Sequence, residues 1–373
     1  LLIIKKNIKQ NLTVNIAIGL IAFWPYSIVN STRVHNDILF YLLFSIYLYF
    51  ITKWYRGKKK NDLLISSIFG TLGIFTKTNA IIILPITYLL FLFKLLNKKN
   101  KAVYLKQNAI SLSIPLVGVL LLTLILNPLR NPEKKIPSIF GTAATVNKSF
   151  YVGNGFNNYF SIDWKSFISE PYVLAEKDEY GRQNFWHHLI KSSLFGTHNS
   201  VPDPMTSYNL NVNIAIAMGW ILNFFIIFVF LNFIAQKNPT LYKNLPHSLS
   251  LFFFLMSLMV FKFIAPVPHH NDFRMIYPVI IPLTIFYFSY SSIFETIKVL
   301  KIIRIVLAII FIFLSVFYYI PAKYMFISIG SPITHKKESS IATPVAQGTA
   351  WNAPSNTQLK MDEQLNIDFD STK

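Results

Sequence analysis

Three ionic residues, each set against apolar runs, have the types needed to hold an anion and move a proton. Lys77 lies in Thr76-Lys77-Thr78-Asn79, between apolar stretches 63–75 and 80–96. An ammonium there is a compact point charge suited to a phosphate on a membrane-embedded lipid, and ionisable groups at membrane depth tend to be functional. A lysine snorkelling to the outer interface fits the same position. Arg274 lies in Pro268-His269-His270-Asn271-Asp272-Phe273-Arg274-Met275-Ile276-Tyr277-Pro278. Its guanidinium offers a planar fork to phosphate or carboxylate oxygens. Asp37 closes Arg33-Val34-His35-Asn36-Asp37 and opens an apolar run. A negative charge is favoured at a helix N-terminus, and a simple capping role fits there too. His35 and Asp272 are the supporting neighbours. Asp272 could orient Arg274 or join His269 and His270 around a divalent metal, although adjacent histidines lack the i,i+4 spacing of a helical metal pair.

The elements that must position these residues are membrane helices. Of the 373 residues, 53% are hydrophobic and 14% charged, whereas a soluble domain carries about 25% charged residues. A crossing needs roughly 20 residues of helix, and the sequence supplies about nine candidate runs: 12–29, 37–54, 63–75, 80–96, 109–126, 212–235, 249–265, 278–293 and 305–319. The expected fold class is therefore all-α, a polytopic transmembrane bundle. Basic stretches 5–9, 53–60, 94–106, 237–243 and 298–304 fall in alternate connections. Lys and Arg are retained in cytoplasmic loops, so Asp37, Lys77 and Arg274 are expected on the outward side. The net charge of +19 then reads as contact with anionic lipid headgroups rather than nucleic acid. The chain has no cysteine, which excludes disulfides and thiolate chemistry.

Residues 1–126 form the expected N-terminal helical region and 210–320 the C-terminal one. Between them, 127–209 is a polar connection rich in Asn, Ser, Gly and Pro, and loops of that length are usually functional. Its part 181–195 places Phe185, Trp186, Leu189, Ile190 and Leu194 at helical spacing, as a helix lying on the membrane surface would. Residues 321–373 read as a polar extracytoplasmic tail. The chain opens on Leu1, with 1–4 resembling the end of a preceding span, so an upstream part is expected.

In this order the motifs resemble the GT-C superfamily of integral-membrane glycosyltransferases, in particular bacterial enzymes similar to aminoarabinose transferases and protein O-mannosyltransferases. Pro25…Ser31…Val34-His35-Asn36-Asp37 resembles the Pro…Asp element that opens a span. Gly70…Gly73-Ile74-Phe75-Thr76-Lys77-Thr78-Asn79-Ala80…Leu84-Pro85 resembles a Gly-Leu…Thr-Lys…Leu-Pro hairpin. Asn184-Phe185-Trp186…Leu189-Ile190-Lys191-Ser192-Ser193-Leu194-Phe195-Gly196 is similar to a later loop element, and Arg274-Met275-Ile276-Tyr277-Pro278 to an Arg-Tyr-x-x-Pro element. The resemblance covers roughly 12–293. It implies transfer of a sugar from a polyprenyl-phosphate donor to a glycan, lipid or protein acceptor, at the outward face of a bacterial inner membrane. It also implies a principal carboxylate in an outward loop upstream of this sequence, with Asp37 as the second acidic position. Lys77 and Arg274 would hold the donor phosphate, supported by His35 and Asp272. Rival readings are a lipid-linked glycan flippase, which calls for charges within several spans and internal repeats, and a non-catalytic membrane scaffold.

Overall fold

A backbone in hydrocarbon has no water to bond, so each crossing segment must satisfy its own amides, as a helix does. The computed structural model describes residues 2–8, 10–31, 36–57, 59–126, 155–160, 184–195, 208–235, 238–264, 266, 272–288 and 297–319. Among these there are helices and no strands. In chain order the helices are α1 (Leu2–Asn7), α2 (Asn11–Ala22), α3 (Pro25–Ser31), α4 (Asn36–Arg56), α5 (Lys60–Thr76), α6 (Ile83–Leu96) and α7 (Lys101–Leu121). They continue with α8 (Phe156–Phe160), α9 (Phe185–Phe195), α10 (Tyr208–Ile234), α11 (Asn238–Ile264), α12 (Ile280–Phe288) and α13 (Lys298–Tyr319).

Among the described residues six helical stretches are long and apolar enough to cross a membrane: Asn36–Arg56, Thr78–Leu96, Lys101–Ile125, Asn213–Ile234, Tyr242–Ile264 and Val299–Tyr318. Ile110, Leu124, Phe230, Phe263 and Phe313 stand exposed on them, an apolar perimeter that lipid would cover. The chain is thus a multi-pass helical membrane protein. The other three expected runs form shorter helices, α2, α5 and α12.

The differences from the expected runs have local causes. Run 12–29 is two helices because Pro25 disfavours helical geometry in Trp24 and starts α3 itself. Helix α7 begins inside the basic stretch 94–106, where the Asn100 side chain accepts from Val103 N at 3.2 Å and caps it. Stretch 298–304, expected as a loop, is the first part of α13. Arg304 is buried there because its guanidinium donates to the Tyr287 carbonyl at 2.7 Å near the end of α12, while Tyr287 Oη donates to Arg304 O at 2.8 Å.

Helices α4 and α5 form an antiparallel hairpin, tied at its base by Lys53 and Asp62 at 2.8 Å. Lys94 at the end of α6 donates to Trp54 O at 2.5 Å and Gly57 O at 2.8 Å. Arg56 reaches Asn7 at 2.5 Å, Asn244 at 3.0 Å and the Lys243 carbonyl at 2.9 Å. Basic residues from four separate stretches therefore gather at one end of the bundle. Helix direction then requires Asp37, at the start of α4, and Lys77, just past the end of α5, to lie at the other.

Close approach of α5 and α7 rests on Gly118, whose position leaves no room for a side chain beside Thr71. Inside, Phe40, Phe44, Tyr47, Leu48 and Ile51 of α4 are buried, and Phe44 meets Phe254 of α11 edge-on at 4.9 Å between ring centres. All described residues belong to one compact unit, residues 1–173 with 180–320; the tail expected at 321–373 and most of connection 127–209 lie outside the described residues.

Candidate functional site

Helix α5 stops at Thr76, whose hydroxyl donates to Gly73 O at 2.8 Å. Lys77 follows in an extended conformation (φ −151°, ψ 124°), and a 3₁₀ turn, Thr78–Ile82, leads into α6. This break turns Lys77 sideways toward α4. There Asp37 sits in the first helical turn, where the backbone amides favour its charge. Lys77 Nζ donates to Asp37 Oδ1, and Asn36 reaches Thr76 O at 3.4 Å. The two side chains retain only 16% and 9% exposure, so solvent screens this pair far less than a surface one.

Arg274 comes from a turn near the other end of the sequence. Its Nε lies 3.9 Å from Asp37 Oδ2, within ion-pair reach but beyond a hydrogen bond. The turn is held from several sides. Asp272 caps it, accepting from Arg274 N at 2.8 Å. Phe273 N donates to Ser192 Oγ on α9 at 3.0 Å, and Tyr41 Oη donates to Arg274 O at 2.9 Å. Asp37 and Tyr41 are four residues apart and so share one face of α4. That face takes Arg274 by its side chain and its carbonyl at once.

Aromatic rings close the floor. Tyr277 packs on Tyr41 at 4.6 Å and Tyr26 at 5.4 Å between ring centres, and its hydroxyl bonds the Ser27 hydroxyl. Trp24 stacks on Phe273 at 6.4 Å and donates from Nε1 to Ser193 O at 2.8 Å. Beside the ionic cluster a cleft of about 120 Å³ opens between Thr78 and Ile82 on one side, Ser257 and Phe261 of α11 on another, and Met275 and Ile276 on the third. Its lining is mainly apolar.

Burial pulls the Lys77 ammonium below its ordinary value, with Asp37 pulling the other way and only partly restoring it. Burial acts on Arg274 in the same sense, but Asp272 and further neighbours including Asp37 outweigh it and carry the guanidinium above its ordinary value. The two cations of the cluster are therefore shifted in opposite directions, Lys77 down and Arg274 up.

The structure brings Asp37, Lys77, Arg274 and Asp272 together from three distant stretches of sequence. His35, His269 and His270 lie outside the described residues. Among the described residues no group of three or more His, Asp or Glu is arranged to hold a metal ion. The helix expected in 181–195 is present as α9, but His187, His188, Lys191 and Ser192 are as buried as Phe185 and Leu194. Its polar side is turned into protein, not toward water. Ser192 and Tyr277 enter the sequence reading only as members of longer motifs and Tyr41 not at all, although the i,i+4 spacing of Asp37 and Tyr41 is a readable signal. Comparison with protein-family models, with curated proteins and with solved structures finds no match to this chain.

Proposed function

We propose that this protein is a membrane glycosyltransferase of the GT-C kind, moving a sugar from a polyprenyl-phosphate donor to an acceptor at the extracytoplasmic face of a bacterial cell membrane. One observation carries the reading. Lys77 and Arg274 meet over a single carboxylate at the end of the bundle away from the basic loops, and their chain neighbours Thr78 and Met275 line an apolar cleft. Two cations suit a phosphate headgroup, and a mainly apolar cleft against α11 suits the first isoprene units attached to it.

Transfer breaks the bond between the sugar's anomeric carbon and the phosphate oxygen and forms one to an acceptor oxygen. Negative charge collects on the departing phosphate, where fixed Lys77 and Arg274 stabilise it. Positive charge develops on the sugar, and the acceptor hydroxyl must lose a proton. Asp37 is the carboxylate placed to take that proton or to stabilise the sugar. Tyr41 acts through Arg274 by holding its carbonyl, and Ser192 by holding the amide of the preceding Phe273.

The test is transfer of labelled sugar from polyprenyl-phosphate donors by the full-length protein in proteoliposomes. Arg274→Ala should lower the rate roughly 100-fold, as loss of one transition-state donor does, with folding intact by gel filtration. Transfer at the unaltered rate in both Arg274→Ala and Asp37→Asn overturns the reading.

A further inference from the structure

We infer that Asp37 is an internal stand-in for the ligand's phosphate, so that arrival of an anionic headgroup releases this carboxylate for chemistry. The inference rests on the anion-binding reading above and names how that site is controlled. The two oxygens of Asp37 face the two cations separately, Oδ1 toward Lys77 Nζ and Oδ2 toward Arg274 Nε at 3.9 Å. A carboxylate in that position mimics two oxygens of a phosphate. With Asp272 on the Arg274 backbone, the described cluster carries two cations and two carboxylates. Among the described residues these four charges offset one another. The donor's phosphodiester adds one negative charge and two non-bridging oxygens, and the monoester left after transfer adds up to two charges and three terminal oxygens; either competes with Asp37 for the same two cations.

The geometry favours exchange over simple addition. Arg274 is held at its backbone by Tyr41 and Asp272, whereas its side chain is 38% exposed and only loosely paired, at 3.9 Å. It can turn to a headgroup without disturbing its anchor. Lys77 adjoins Thr78 and Asn79, which line the same cleft. As phosphate oxygens take both donors, repulsion between like charges moves the carboxylate off them. Asp37 then has oxygen lone pairs to accept the acceptor's proton. In the ligand-free site the same lone pairs serve the two cations, so the base is engaged only when a donor is present.

This arrangement makes affinity and rate move in opposite directions, which no merely structural role of Asp37 does. Binding of citronellyl phosphate, a short isoprenyl monophosphate, is measured by calorimetry on the full-length protein in nanodiscs. Asp37→Asn should bind it roughly tenfold tighter, equivalent to about 1.4 kcal/mol of lost competition, while sugar transfer falls. Asp37→Ser, a residue equally at home at a helix start, should do the same if the asparagine variant fails to fold. Binding by the unaltered protein that is unchanged or weaker in a folded charge-removing variant overturns this inference and leaves the anion-site reading standing. Absence of binding in both the unaltered protein and the variants overturns both.

Discussion

Gly118→Ala should loosen the packing that carries Lys77 into place, and the size of the effect follows from one contact. A Cβ at Gly118 would lie 2.3 Å from Thr71 Cγ2, whereas ordinary contact begins at 3.4 Å. Thr71 cannot swing aside easily, being β-branched and bonded through Oγ1 to Ser67 O at 2.8 Å. Helices α5 and α7 must therefore part by about 1 Å, the difference between those two distances. Overpacking of this kind costs about 1–3 kcal/mol, and the better helix propensity of alanine returns roughly 0.5–1 kcal/mol. A net loss of about 1–2 kcal/mol is expected in a detergent-unfolding titration. Thr71→Ser removes the clashing methyl and keeps the hydroxyl, at about 0.8 kcal/mol for one buried carbon. Combined with Gly118→Ala it should restore stability to near that of Thr71→Ser alone, a coupling of about 2 kcal/mol between residues in contact. Because α5 leads directly into Lys77, transfer should fall further than stability does: a misplacement of about 1 Å at a reacting group is worth roughly 100-fold. If Gly118→Ala is as stable as the unaltered protein, or if the serine gives no rescue, the close approach of α5 and α7 is not as described.

Two further outcomes follow from the same geometry. Gly70→Ala should destabilise, since its Cβ would meet Ile83 Cγ2 at 2.9 Å and the Tyr47 ring at 3.2 Å, whereas Gly73→Ala should be tolerated because its contacts start at 3.7 Å; thermal unfolding in micelles compares the two. Isoprenyl phosphate binding should weaken as pH rises, with a midpoint below the ordinary lysine value of 10.5, because burial lowers the Lys77 pKa. Stability moves the other way in that window, since the unfolded chain there binds more protons than the folded one and its relative stability falls as pH rises. Lys77→Arg should retain binding across the range, and a titration that is flat in the unaltered protein would remove Lys77 from the anion site.

What could be read from the sequence was whatever is costly in its context. Lys77 stands out because an ammonium between apolar arms needs a reason, and Asp37 and Arg274 stand out likewise. Their meeting place was a prior expectation only insofar as one-sided basic loops put all three at the same end of the bundle. The clamp on Arg274 was hidden for the opposite reason. Tyrosine is common in this chain, at 19 residues, so Tyr41 and Tyr277 carry no contrast until their partners are known. Helix α9 shows a different limit. Its apolar spacing marks a helix, but the same pattern arises whether the polar side meets water or, as with His187 and His188, meets protein. Basic residues do not by themselves mark loops here: Lys101 and Lys298 open helices because capping by Asn100 and burial of Arg304 accommodate them.

The partners of the cluster arrive at very different times during synthesis. Asp37 and Lys77 lie 40 positions apart in a helical hairpin, so they can neutralise each other as that hairpin enters the bilayer and spare it from carrying two bare charges. Arg274 lies 233 positions after Tyr41, to which it is fastened. A nascent chain that has not yet added Arg274 would thus hold the Asp37–Lys77 pair without its second cation. On the reading proposed above, the second cation joins the site only once the turn carrying Arg274 has docked, so the hairpin alone would compete poorly for a phosphate.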